Sequence, residues 1–129
     1  MVGAPFFLGL ESRNEESLTL CYLVQDADGW LMVDSGYNDE GCFNALCQQI
    51  DSLGIELKDI RWLVLTHYHP DHSGLANLIK AASGAKVVMH QDDWNILENI
   101  VGSSEEWNIH GLVPWVRSFG VPPNKLEGF

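Results

Sequence analysis

Three histidines and one carboxylate lie within six residues near the middle of the chain, in the segment Thr66-His67-Tyr68-His69-Pro70-Asp71-His72-Ser73-Gly74. His67 and His69 are two residues apart, so their rings project to the same side of an extended segment, and the following proline favours that geometry. Asp71 and His72 come after the bend and can face a second point nearby. Neutral imidazoles and carboxylates are ligands of Zn²⁺. The segment therefore predicts a metal site.

The alternative interpretation is a polar loop whose histidines are incidental, and a single histidine would favour it. Here, however, the cluster directly follows Ile60–Leu65, a continuous apolar run typical of a strand buried on both faces. Folds of the α/β type bind ligands at the carboxyl ends of such strands. We therefore favour metal binding.

The elements that must position this loop follow from hydrophobic periodicity and turn residues. The sequence predicts, in order, a strand over Ser17–Gln25, a turn over Asp26–Gly29, a strand over Trp30–Val33, a helix capped by Asn38 or Asp39 and stopped by Gly54, the strand Ile60–Leu65, a helix from Leu75 to Ala82 stopped by Gly84, a strand over Lys86–His90, and helices over Gln91–Val101 and Ser104–Gly120. Strands that alternate with helices indicate a mixed β-sheet with flanking helices, in the α/β (α+β) class.

The sequence resembles the metallo-β-lactamase superfamily from about the first hairpin to His90. The resemblance is carried by the string His67-x-His69-x-Asp71-His72, by Leu31-Met-Val-Asp-Ser-Gly36, which is similar to a strand ending in Asp-Thr-Gly, and by Ser73-Gly74-Leu75. It implies the N-terminal half of an αββα sandwich, followed by a helical segment. On this basis we predict one domain over 1–129, with a β/α half up to residue 90 and a helical insertion from 91 to 129.

The resemblance also implies roles for individual residues. His67 and His69 would bind a first metal ion, and Asp71 and His72 a second, with Zn²⁺ expected and iron or manganese as alternatives. A metal-bound hydroxide would attack an ester, thioester or lactone, and Asp71 would act as the catalytic residue that orients it or takes up its proton. Asp34 would not touch metal; its carboxylate would form hydrogen bonds to the metal loop and so fix the orientation of the ligands.

Two further residues have alternative interpretations. His90 ends a predicted strand and either bonds to backbone or lies on the rim of a substrate site. Tyr68 should point away from its neighbouring histidines, which favours packing, although it is a second candidate for that rim.

The superfamily completes its metal sites with a third histidine, a bridging aspartate and a further histidine from a C-terminal half, and no residue after His72 matches them. We therefore expect either a missing C-terminal half or a homo-oligomer, because the sheet face that packs on that half would be exposed and apolar. A chain without those ligands is expected to bind metal weakly.

Charge and cysteine content limit the partners. The formal net charge of −11 opposes binding to nucleic acid. The apolar start of the chain is too short to span a membrane and contains no basic region, so we expect neither a membrane span nor a secretory signal in it. Three cysteines without CxxC spacing favour a reducing cytoplasm. A small-molecule substrate is the expected partner.

The leading hypothesis is thus a zinc-dependent hydrolase of the glyoxalase-II-like branch. Two alternatives are an iron-dependent oxidoreductase on the same scaffold and a non-catalytic metal-binding or structural module.

Overall fold

Five strands form one mixed sheet in this computed structural model, which describes residues 6–11 and 18–101. The strands follow one another across the sheet in chain order: β1 (Phe6–Glu11), β2 (Leu18–Asp26), β3 (Gly29–Val33), β4 (Ile60–Val64) and β5 (Lys86–Val88). The helices are α1 (Glu40–Ser52), α2 (Pro70–Ser73), α3 (Ala76–Ser83) and α4 (Gln91–Val101), and a 3-10 turn covers Leu57–Asp59. β1 to β3 are antiparallel, whereas β3, β4 and β5 are parallel. The predicted mixed sheet with flanking helices is confirmed.

Helix α1 shows how local sequence sets an element. The Asp39 side chain accepts a hydrogen bond from the Cys42 amide nitrogen at 2.8 Å and caps the helix. Beyond the other end, Gly54 adopts φ 71°, a left-handed conformation that glycine permits without steric cost. Leu46 and Ile50, four residues apart on one face, are buried against the sheet.

The core lies on one face of the sheet, beneath α1 and α3. Its buried members are Leu8, Leu10, Cys21, Leu23, Met32, Cys42, Leu46, Ile50, Ile55, Ile60, Leu63, Leu65, Leu75, Ile79 and Ala85. Strand residues of this set face the helices because every second side chain of a strand points to the same face.

The opposite face of the sheet is also apolar but exposed. It carries Phe7, Leu18, Leu20, Trp62 and Val88, which expose 42–69% of their surface. We refer to these five side chains as the apolar face. The prediction that β4 is buried on both faces was therefore wrong.

β4 departs from simple alternation because it contains an extra residue. Trp30 of β3 pairs with Ile60, whereas Leu31 pairs with Trp62, so Arg61 has no partner in the register and forms a bulge. The bulge lets Ile60 and Leu63, three residues apart, share the core face.

β1 is an element that periodicity did not predict. It pairs with β2 along its full length. The Gln49 side chain from α1 bonds to the backbone of Gly9, with its Oε1 accepting at 3.1 Å and its Nε2 donating at 2.6 Å. This amide satisfies backbone groups of β1, the strand at one edge of the sheet.

The chain divides after His90 into two compact units, and the second begins with α4. The predicted helix over Ser104–Gly120, with Trp107, His110 and Trp115, lies outside the described residues. Over the described ranges, no helix combines the length and hydrophobicity that a bilayer crossing requires. The predicted domain organisation stays a prediction.

Candidate metal centre

The site begins where β3 and β4 end side by side. Because the two strands are parallel, their carboxyl ends lie side by side, and Asp34 after β3 and Thr66 shortly after β4 are both found there. The Asp34 amide nitrogen donates to the Val64 carbonyl oxygen at 2.9 Å. Asp34 adopts φ 61°, and it is the single described non-glycine residue with positive φ. A residue held in this sparsely populated conformation requires support from its surroundings, and the bonds of Asp34 supply it.

The Asp34 carboxylate is 4% exposed and points into the histidine-rich loop. Its Oδ1 accepts from the Thr66 amide nitrogen at 2.8 Å, and the Thr66 hydroxyl lies 3.0 Å from Oδ1 and 2.8 Å from Oδ2. The same Oδ2 lies 2.8 Å from Nδ1 of His72. One buried carboxylate thus joins the first residue of the loop to its last histidine.

Helix α2 is a single turn that folds the loop back on itself. His69 precedes it with ψ 144°, the extended conformation expected before Pro70. The His69 carbonyl oxygen then accepts from the amide nitrogens of His72 and Ser73, both at 2.9 Å. This turn brings the rings of His67 and His72 to a centroid separation of 4.1 Å, while the His67 and His69 rings are 4.6 Å apart.

Asp71 and His72 approach each other at the open end of this cluster. Oδ2 of Asp71 lies 3.2 Å from Nε2 of His72. Two ligands of a tetrahedral zinc ion, each bound at 2.0–2.2 Å, are separated by roughly 3.3–3.6 Å, so the pair is nearly spaced to share one ion. Nδ1 of His72 faces Asp34, which leaves Nε2 as the nitrogen available to a metal.

Partial burial lowers the pKa of His67 below its ordinary value. The neighbouring His72 and His69 rings add to this shift, whereas the carboxylates of Asp34 and Asp71 oppose it. A lowered pKa favours the neutral imidazole, which is the form that binds metal.

Ser35 and Gly74 fasten the loop to the end of β3. The Ser35 amide nitrogen and hydroxyl both donate to the His72 carbonyl oxygen, at 2.8 and 2.9 Å, and the same hydroxyl accepts from the Leu75 amide nitrogen at 3.2 Å. A Cβ on Gly74 would lie 2.5 Å from the Asn38 amide nitrogen and 2.5 Å from the Pro70 carbonyl oxygen. Backbone therefore approaches this position too closely for any side chain.

The four predicted ligands, His67, His69, Asp71 and His72, are thus neighbours in the fold, but they do not form a complete site. Among residues 6–11 and 18–101, no group of three or more histidine, cysteine, aspartate or glutamate side chains is arranged to hold one ion. Imidazole nitrogens and carboxylate oxygens are nevertheless donor atoms of the kind that zinc accepts.

Of the two predicted rim residues, Tyr68 lies within the loop and His90 lies beyond β5. The Tyr68 ring packs edge-on against the His69 ring with centroids 4.9 Å apart. The expectation that Tyr68 points away from its neighbouring histidines was therefore wrong for His69. The loop bends at this point and does not continue as a strand. His90 is exposed and lies two residues beyond the end of β5, and it does not end that strand.

Sequence reasoning did not single out Thr66 and Ser35. Both carry hydroxyl groups next to predicted site residues, Thr66 before His67 and Ser35 after Asp34. Short polar side chains at the ends of buried strands bond readily to neighbouring backbone, and this was the available signal.

The sheet, the helices and the histidine-rich loop together define a domain of the metallo-beta-lactamase fold class. The sequence model of the metallo-beta-lactamase superfamily matches residues 15–128, and the chain belongs to this superfamily. Its members bind metal ions, usually zinc.

Individual relatives agree with this assignment. A probable metallo-hydrolase of Bacillus subtilis is 37% identical over 59 residues, which are 46% of this chain and 18% of that protein. A metallo-beta-lactamase family protein from Thermus thermophilus superposes with a TM-score of 0.64 at 27% identity, over 70% of this chain and 30% of that one. The FEZ-1 metallo-beta-lactamase from Legionella gormanii gives a TM-score of 0.61 at 22% identity, over 74% and 33% of the two chains.

The relatives are longer than this chain. The matched part spans about a fifth of the Bacillus subtilis protein and about a third of each of these two solved chains. The fold corresponds to the N-terminal half of the metallo-beta-lactamase fold.

Proposed function

We propose that this chain carries the metal-ligand loop of a zinc-dependent hydrolase that acts on an ester, thioester or lactone, in the glyoxalase-II-like branch of the superfamily. The observation that carries the proposal is the pair formed by Asp71 and His72. Their donor atoms are 3.2 Å apart, and Asp34 holds the other ring nitrogen of His72. A carboxylate oxygen and an imidazole nitrogen at this spacing could both bind one zinc ion.

We assign His67 and His69 to one zinc ion and Asp71 and His72 to a second. The support is the proximity of the three imidazole rings within one loop and the carboxylate behind them. Zinc held there would supply Lewis acidity, which lowers the pKa of water and stabilises developing negative charge. The side chains would bind and orient, and a carboxylate oxygen of Asp71 would hold the proton that leaves the attacking water.

Charge supports the choice of substrate class. The net charge of −11 raises the cost of bringing a polyanionic phosphodiester to the site, whereas the reacting group of an ester, thioester or lactone is itself uncharged. We place Tyr68 and His90 on the rim that a small substrate would cross.

Three free cysteines support a cytoplasmic location, and recovery of the protein with an oxidised disulfide from an exported fraction would contradict it.

The first experiment measures metal content. The chain is held in equilibrium dialysis against a series of free zinc concentrations, so that weak binding is also detected, and its bound metal is measured by mass spectrometry. We expect His67→Ala/His69→Ala to lose the zinc that the unsubstituted chain retains, and His90→Ala, a histidine substitution outside the loop, to retain it. Equal zinc in the double variant and the parent would reject the assignment.

The second experiment measures turnover by the zinc-loaded chain with a panel of esters, thioesters and lactones. We expect Asp71→Asn to lower the rate at saturating substrate and His90→Ala to raise KM. Bound iron together with oxygen consumption would instead favour the oxidoreductase alternative.

A non-catalytic metal-binding module is the second candidate. It is favoured by the absence of a three-ligand group among the described residues. It predicts zinc binding without turnover on the whole panel, and measurable hydrolysis lost in Asp71→Asn would exclude it.

A further inference from the structure

Thr66 occupies a position between a buried carboxylate and a predicted metal ligand. Its Oγ1 lies 2.8 Å from Oδ2 of Asp34 and 2.9 Å from Nδ1 of His67. Neither this residue nor its hydroxyl is part of the proposed ligand set, so the contact requires a separate explanation.

The directions of these hydrogen bonds follow from counting protons. An ionised carboxylate can only accept, and a hydroxyl has one proton to donate. The Thr66 O–H therefore donates to Asp34, and its remaining lone pairs can only accept. The group left to donate to them is the Nδ1–H of His67.

We infer that Thr66 is a positioning residue that holds neutral His67 in the Nδ1–H tautomer and thereby leaves the lone pair of Nε2 for zinc. The inference rests on the proposed zinc site for its functional meaning, but the tautomer itself is a property of the metal-free chain. A neutral imidazole carries its proton on either nitrogen, and the hydrogen bond that the other nitrogen makes selects between them.

Asp34 thus controls two histidines by different routes. It accepts directly from Nδ1 of His72 at 2.8 Å, and it reaches His67 through the Thr66 hydroxyl. Both routes occupy Nδ1, so Nε2 is the nitrogen that a metal ion could reach, and in His72 it faces Asp71 at 3.2 Å. Because the residue is exposed, Thr66 is the part of this arrangement that can be altered without opening the core.

The test records long-range ¹H–¹⁵N spectra of the imidazole rings in the metal-free chain at about pH 8, above the ordinary histidine pKa. We expect the Nδ1–H tautomer for His67 in the parent and in Thr66→Ser, which keeps the hydroxyl. In Thr66→Val, which keeps the shape and loses the hydroxyl, we expect the Nε2–H form to become populated. His72 is the internal control and should not change.

Zinc affinity gives a second readout, by competition with a chromophoric chelator. We expect about a tenfold loss in Thr66→Val and less than a twofold change in Thr66→Ser. An Nε2–H tautomer of His67 in the parent, or an unchanged tautomer in Thr66→Val, would overturn the inference. The parent spectrum alone decides the assignment should the valine variant fail to fold. The predicted tautomers in a chain that binds no zinc would reject the proposed function and leave the positioning role of Thr66 intact.

Discussion

Oδ2 of Asp34 and Nδ1 of His72 lie 2.8 Å apart, although 38 residues separate them in the chain. The bond joins the end of β3 to the end of the histidine-rich loop, so strand pairing in the sheet determines where the ligand loop lies. It also presents one defined nitrogen of His72 to solvent and to any metal that binds there.

Asp34→Asn tests this relationship. Asparagine tolerates the left-handed conformation at this position, so the backbone should be kept while the charge and one acceptor oxygen are lost. An amide NH₂ facing the donors of Thr66 and His72 cannot accept from both. We expect zinc affinity to fall about 10- to 100-fold, measured by chelator competition.

Asp39→Asn is the matched control for this substitution. It removes the same charge from the N-cap of α1, where asparagine caps about as well as aspartate. We expect its zinc affinity to stay within about twofold of the parent. A similar loss in both variants would show that total charge, and not the contact with His72, controls binding.

Gly74→Ala should distort the ligand loop. The added Cβ would meet backbone atoms of Asn38 and Pro70 at 2.5 Å, and backbone cannot rotate away as a side chain can. We expect the free energy of unfolding to fall by about 3 kcal/mol, measured by urea denaturation. Gly84→Ala is the control, because its added Cβ would meet nothing within 4 Å. Its φ of +73° is still unfavourable for alanine, so we expect the free energy of unfolding to fall by about 1 kcal/mol. Equal losses would contradict the steric argument.

Much of the fold could be predicted because its signals are local. Helix α1 follows from the Asp39 cap, its apolar spacing and Gly54 within one stretch of sequence. The β2–β3 hairpin follows from two β-rich runs about a short turn, which the structure places at Asp26–Gly29. In each case, neighbouring residues carry the whole signal.

The features that could not be predicted depend on partners distant in sequence. β1 is a strand because β2 pairs with it, and its apolar run alone does not indicate this. The extra residue Arg61 in β4 is defined by the register against β3. The contact between Thr66 and Asp34 spans 32 residues and arises only when two strand ends meet.

The candidate site shows the same division. The types and spacing of His67, His69, Asp71 and His72 predicted a cluster, and the single turn α2 brings them together within one short loop. The supporting groups behind the loop come from β3, so the sequence near the histidines could not reveal which of them bond to it. The local prediction for Tyr68 was wrong because it assumed a strand where the chain bends.

The thiol of Cys21 predicts how stability depends on alkaline pH. Burial raises its pKa from 9.0 to about 12, and the charges of Asp34 and Cys42 add to the shift. Between these values the folded chain keeps the proton while the unfolded chain loses it, so the free energy of unfolding falls as pH rises. The contribution is about 1.4 kcal/mol per pH unit.

Urea denaturation between pH 9 and pH 11 checks this sign. The free energy of unfolding of the parent should fall more steeply with pH than that of Cys21→Ala, because the other titrating groups are common to both chains. The alanine variant should be less stable at pH 7 because it leaves a cavity, but only the difference in slope tests the pKa. Parallel slopes would show that Cys21 ionises equally in both states.

The apolar face predicts self-association of this chain. Its five side chains expose on the order of 500 Å² per copy, which is enough for two copies to bury about 1,000 Å² between them. Pairing through the β1 edge strand is disfavoured because the Gln49 amide already bonds to backbone groups of that strand. Light scattering should give twice the 14.4 kDa chain mass. Leu20→Glu on this face should give monomers, whereas Leu78→Glu on α3, also 45% exposed in the parent, should not. A monomeric parent, or two variants that dissociate alike, would contradict this prediction.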